Sequence, residues 1–346
     1  MSIKLSKGYE TEEILRNYFL GLGFYVVRGI KFKYKNFDVT DIDLLIFSKE
    51  SPLIRTRINV DIKNKKTTQA IERFFWAQGV SKISGLEDCL IVTSENRADV
   101  LDFGLKHHIR VLDGSFLTRL YKSNKSQSVR ITEETLFSNL DIASNNKIGG
   151  DWKGKIEKGK SRLIDNISFD SCNAYLKDLK YFFECSLGLS TELQASISLW
   201  RAIYITTSHF LISLDYILRE YQTCEHDKRK AVLDLGFKFG NSGKDFTEKV
   251  GSIISALAES VIPNSNLKNS LECEFKKLSD SIKSEILAEY FSRPNVNNSL
   301  FEMAKQFESF AYQDNIPSPS TLPASSQSVI ALLCDFYDLE RKKIIF

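Results

Sequence analysis

The sequence predicts an α/β protein: a mixed central sheet with helices on both sides, followed by a mostly α-helical second domain. Three observations carry that expectation. Over residues 8–120 the apolar pattern alternates between helical and strand periods in the order α–β–β–β–α–β–α–β. Beyond residue 166 only the helical period recurs. The 346 residues, 42% of them apolar, suffice for one large core or two ordinary ones. The expected division is 1–122 for the α/β domain, 123–165 for a polar basic linker or loops, and 166–346 for the helical domain.

The first helix is read over residues 8–22, GYETEEILRNYFLGL. Ile14, Leu15, Tyr18, Phe19 and Leu22 form its apolar stripe, and Gly21 and Gly23 end it. Glu10 lies four residues before Ile14 and so projects from the same face. Glu12 and Glu13 read as ordinary first-turn acids. Phe24–Arg28 is a strand. In the IKFKYKN that follows, Lys31, Lys33 and Lys35 share one face of an extended segment. Two readings stand for this row: the solvated face of an edge strand, or cations touching a phosphate backbone.

Residues 38–47, DVTDIDLLIF, and the strand in RINVDIKNKK come next. Strand alternation puts Asp43 on one side of the first, and Asp61 and Lys63 on one side of the second. TTQAIERFFWAQGVSKISG is a helix in which Trp76 reads as a core residue, with base stacking as the other reading. A short strand at Cys89–Thr93 follows. RADVLDFGLKHH is a helix with Val100, Leu101, Phe103 and Leu105 as core residues. IRVLDG is the last strand, and SFLTRL begins a closing helix or turn. The strand–helix–strand crossovers are expected to be right-handed.

Composition narrows the function. The net charge is only +3, but residues 1–120 carry 19 Lys and Arg against 15 Asp and Glu, and residues 121–165 carry 9 against 6. The remaining residues carry 19 against 23. That balance permits nucleic-acid binding toward the N-terminal end. The six cysteines form no CxxC pair and read as small buried hydrophobes of a reducing compartment. With no signal-like segment and no apolar run of membrane length, the expectation is a cytoplasmic protein with no membrane partner. Only four histidines exist, and they form no zinc-type cluster.

Asp43, Asp61 and Lys63, with Glu10 behind them, are therefore expected on one side of a sheet. Clustered carboxylates repel and call for a hard divalent cation such as Mg2+ or Mn2+, which also takes phosphate oxygens. A lysine beside such an ion can hold a water or stabilise charge on a phosphorus centre under attack. This is the chemistry of phosphodiester hydrolysis.

A helix glutamate, a strand aspartate and an acid–x–lysine triplet on the next strand resemble the restriction-endonuclease-like PD-(D/E)XK nucleases. The likeness is to their Mrr-type and Holliday-junction-resolvase-like members, and it covers roughly residues 5–120. It implies a restriction-endonuclease-like sheet and a metal-dependent DNA endonuclease. Glu10, Asp43 and Asp61 would be metal ligands and Lys63 the catalytic lysine. A glutamine on the following helix, Gln78 or Gln69, would point back to the site, with Gln78 preferred. The sequence departs from the family in having Ile42 where a proline is frequent and an aspartate, Asp61, where glutamate is commoner.

The resemblance also implies restriction or defence against foreign DNA, and RNA would suit the same chemistry. Cutting both strands points to a homodimer or higher homo-oligomer, and a partner protein would have to supply any ATP-driven step. The helical half carries no catalytic motif, and recognition, dimerisation or sensing are its expected roles. The other class of function is an inactivated nuclease fold kept as a DNA-binding or protein-interaction module.

Overall fold

The computed structural model describes residues 6–35, 37–63, 70–123, 130–145, 150–165, 167–188, 193–261, 270, 273–274, 276–277 and 280–343. The N-terminal region follows the expected order. It runs α1 (Lys7–Gly21), β1 (Tyr25–Tyr34), β2 (Phe37–Lys49), β3 (Arg55–Lys63), α2 (Ala70–Ile83), β4 (Asp88–Thr93), α3 (Ala98–Lys106), β5 (Arg110–Leu112) and α4 (Gly114–Ser123). The sheet has five strands in sequence order. β1, β2 and β3 pair antiparallel, and β3, β4 and β5 pair parallel. The strand and most of the lysine row after it, read separately in the sequence, form the one strand β1, with Lys35 in the turn just beyond it at a φ of +54°.

Alternation along the strands gives the sheet two buried faces. Val26, Leu44, Ile46, Val60, Leu90 and Val92 pack with Leu15 and Phe19 of α1 and Leu117 of α4. On the other face Cys89 and Ile91 meet Phe74 and Ala77 of α2 and Val100 of α3. Two expected core residues are instead exposed: Leu105 by 77% and Trp76 by 49%.

A mostly helical region follows, formed by α5 (Glu133–Ala143), α6 (Trp152–Asp165), α7 (Phe169–Gly188), α8 (Leu193–Leu218), α9 (His226–Phe239), α10 (Gly243–Val261), α11 (Ser284–Ser292), α12 (Pro294–Tyr312) and α13 (Ala324–Phe336). The polar stretch 123–165, expected as linker or loops, holds the two helices α5 and α6 instead. Thr132 starts α5 by accepting a hydrogen bond from Thr135 N at 3.2 Å. Leu136, Leu140, Trp152, Ile156, Leu163 and Ile164 bury the apolar sides of the pair.

One apolar core runs from the sheet into these helices. Tyr25, Val27, Leu45 and Phe47 belong to the same buried cluster as α7, α8 and α12. Several polar residues inside α8 are matched, while the Thr207 and Ser213 hydroxyls are buried without a hydrogen-bond partner among the described residues. Asp215 takes a two-pronged ion pair from Arg55 of β3. Arg201 donates to the carbonyls of Ala311, Gln313 and Asp314. Ser208 donates to Ala304 O at 2.6 Å and also bonds the Tyr25 hydroxyl. Burial, together with Lys160 and Arg162, lowers the pKa of His209 to about 3, so the ring is neutral. The six cysteines are free: Cys89, Cys172 and Cys334 are buried, Cys185 and Cys224 half-buried, and Cys273 exposed.

A buried charge network joins the two regions. Arg28 of β1 donates to Glu12 at 2.8 Å and to Glu13 at 2.7 Å, both on α1, and to Glu134 of α5. Arg16 of α1 and Arg130 each donate to Glu308 of α12 at 2.6 Å. Lys160 of α6 pairs with Glu133 of α5. Removing one partner from such a set strands the others without water. Glu308→Gln is expected to cost about 3–5 kcal/mol in urea unfolding. Glu302→Gln, which breaks an exposed pair with Lys305, should cost less than about 1 kcal/mol. Equal losses would show that the network adds little.

Candidate active site

The site forms where β2 and β3 run side by side. Leu44 faces Val60 in the antiparallel register, so the next step sets Asp43 against Asp61. The Asp43 carboxylate accepts a hydrogen bond from Ile62 N at 2.7 Å, fixing a β2 side chain on the β3 backbone. Asp61 is 7% exposed. Both of its oxygens are taken by Arg73 of α2, with Nε at 2.9 Å from one of them. Lys63 lies two residues on along β3, half-buried, where alternation returns to the side of Asp61.

Gly29 shapes the strand beside this pair. The pairing of Arg28 with Leu44 and of Ile30 with Ile42 places Gly29 across from Asp43. Its φ of +57° suits glycine and strains most other residues. Before Gly29, Tyr25 and Val27 enter the main core. After it, Ile30 and Phe32 do so. The change of parity turns Lys31 and Lys33 outward.

The local field is acidic. The Asp43 carboxyl is raised to about 7, first by burial and then by Asp61 and Glu12, while the Ile62 N–H and Arg73 pull the other way. Glu12 is also raised, chiefly by burial, against the pull of Arg28. Near neutral pH, Asp43 is therefore only partly ionised.

Two of the expected site residues come together directly, Asp43 and Asp61, with Lys63 beside them on the same strand. Glu10 is exposed in the first turn of α1, and Gln78 is exposed on α2. The α1 acid that bears on Asp43 is Glu12, two residues beyond Glu10. The sequence signal for it was its place one turn before Leu15 and Arg16, since helical side chains lean toward the N-terminus. Arg73 was also not foreseen; its mark is a lone cation in the apolar run of α2. Gln69, Lys65 and Lys66 lie outside the described residues.

Mg2+ is commonly held by one or two carboxylates together with water and substrate phosphates. Asp43 and Asp61 fit a site of that kind once Arg73 leaves Asp61. Among the described residues no group of three or more His, Cys, Asp or Glu is placed to hold a metal ion. The fit is thus to a two-carboxylate site and not to a three-carboxylate one. Compared with family models, curated proteins and solved structures, the chain has no match in any of the three.

Crowding makes Asp43 costly to the fold when ionised. Its folded pKa, about 7, lies above the ordinary 3.8, so its contribution to stability is fully present below pH 4 and is lost as pH rises through 7. Asp43→Asn keeps an acceptor for Ile62 N but cannot ionise. The variant should melt above wild type at pH 8, by about 2–4 °C for each kcal/mol regained, with the gap narrowing below pH 7 and closing toward pH 4. A gap that does not change across that window in calorimetric scans would place the Asp43 titration elsewhere.

Proposed function

We propose that the chain is a divalent-metal-dependent nuclease on a restriction-endonuclease-like fold, acting on phosphodiester bonds of DNA. The observation that carries this reading is the facing pair of Asp43 and Asp61 on adjacent strands, with Lys63 two residues beyond Asp61. The sheet order, with a first helix packed on antiparallel β1–β3 and a parallel β4 reached through α2, supports it.

A divalent ion bound there would polarise the scissile phosphate and offset the charge that develops on it. Asp43 and Asp61 would hold that ion through their carboxylates. Asp43 must be deprotonated to serve, so affinity should rise about tenfold per pH unit up to about 7 and then level off. The Lys63 ammonium would order the attacking water or stabilise the negative charge on the phosphoryl oxygens. Glu12 would add negative charge from α1 without being a direct ligand.

A second reading has its own observation. With both Asp61 oxygens held by Arg73, the fold can also serve as a DNA-binding module that takes up no metal. Calorimetric titration with Mn2+ separates the two. The nuclease reading expects saturable binding that Asp43→Ala abolishes and Arg73→Gln strengthens. Uptake of no Mn2+ by wild type or by Arg73→Gln, with DNA binding intact, would leave the module.

Activity is tested most simply on plasmid DNA. Mg2+ or Mn2+ should support nicking or cleavage, and EDTA should stop it. In single-turnover assays at fixed salt, Lys63→Ala should keep metal binding and lose little DNA affinity. Its cleavage rate should fall by ~10²–10⁴-fold. Equal rates for wild type and variant would remove Lys63 from the mechanism.

A further inference from the structure

A cleft of about 480 Å3 lies between β1 and α6. Lys31, Lys33 and Lys35 line it from the strand side, and Lys158 and Arg162 from the helix. Two carboxylates, Glu157 and Asp165, share the lining. Burial pushes the Asp165 carboxyl up, which weakens one of them as a counter-charge. Lys33 pairs with Asp38 at 3.1 Å and Arg162 with Asp178 at 2.6 Å. Among the described residues Lys31, Lys35 and Lys158 have no ion-pair partner.

Five cations against two carboxylates leave the lining with an excess of positive charge, and Lys158 and Arg162, four apart on one helix, are a like-charged pair. Lysines often guard a sheet edge against pairing with another chain, but α6 already lies along β1 here. Ser161 of that helix donates to Lys31 O at 2.8 Å, within the stretch where the lysines stand.

Position gives the cleft a partner. Lys31 faces Asp41 in the β1–β2 register, and Asp41 is two residues, about 7 Å of strand, from Asp43. Lys31 and Lys33 repeat along the strand at about the same interval, close to the rise of two nucleotides at about 3.4 Å each. A row of cations at that interval, beside the acid pair, matches one strand of a nucleic acid.

We propose that the cleft between β1 and α6 is a docking track for the phosphodiester backbone of DNA, leading to the Asp43–Asp61 pair. The choice of DNA as the polyanion rests on the nuclease reading, while the track itself rests on the cleft.

The test uses the full chain in EDTA, so that binding is read without cleavage. Fluorescence anisotropy with a labelled duplex is followed over a salt series for wild type and for Lys31→Ala/Lys35→Ala/Lys158→Ala. Each lost phosphate contact removes about 0.9 from the slope of log K against log salt. The triple variant should therefore lose about 2–3 in slope and bind at least about tenfold more weakly at low salt. A control triple, Lys82→Ala/Lys106→Ala/Lys122→Ala, should change the slope by less than about 1. Circular dichroism melts of both triples establish that they are folded. An unchanged slope in the first triple, or an equal loss in the control, overturns the track. So does binding to phosphatidylserine vesicles that depends on these lysines without DNA binding. If wild type cleaves DNA while the first triple binds normally, the track fails and the nuclease reading stands. If binding follows the cleft lysines but no metal supports cleavage, the nuclease reading fails and the track stands.

Discussion

Arg28 holds the two halves of the protein in register. It stands on β1 next to the strand's change of parity and reaches Glu12 and Glu13 on α1 and Glu134 on α5. Glu13 in turn accepts from the backbone of Glu133 at the start of α5, and Glu133 pairs with Lys160 on α6. A buried guanidinium tolerates loss of water only if its donors are used, so each of these carboxylates is held in a narrow position. The same contacts press α1 onto the sheet and bring Glu12 within the field of Asp43. The acid pair therefore depends on helices far along the chain, and the helical region is part of the sheet's environment.

The acid pair itself is a compromise. Asp43 and Asp61 repel, and the protein manages the repulsion in two ways: Arg73 neutralises Asp61, and burial leaves Asp43 partly protonated near neutral pH. A divalent ion would do the work of both. On the proposed reading, Arg73 stands in the free protein where that ion would bind.

Much of the sheet was legible in the sequence because strand alternation is a local signal. Asp43, Asp61 and Lys63 fell on facing strands from spacing alone. The errors have common physical causes. Residues 123–165 read as a connector because polarity was taken for solvation, yet Lys160 is buried against Glu133 and α6 packs with its apolar side on the core. Glu12 and Glu13 read as first-turn acids because their partners, Arg28 and Glu133, lie 15 to 120 residues away. Trp76 read as core because its neighbours are apolar, but α2 buries Phe74 and Ala77 and turns Phe75 and Trp76 outward. Local pattern finds elements; partners distant in sequence decide which polar groups are buried.

The central claim is that Asp43 and Asp61 form one divalent-cation site from which Arg73 must withdraw. Its most direct test is a crystal structure of the protein soaked in Mn2+, with anomalous scattering recorded at the manganese edge. The account predicts an anomalous peak between the two carboxylates, with the Arg73 guanidinium displaced from Asp61. Ordered carboxylates with no peak between them, and Arg73 still on Asp61 at saturating Mn2+, would contradict it.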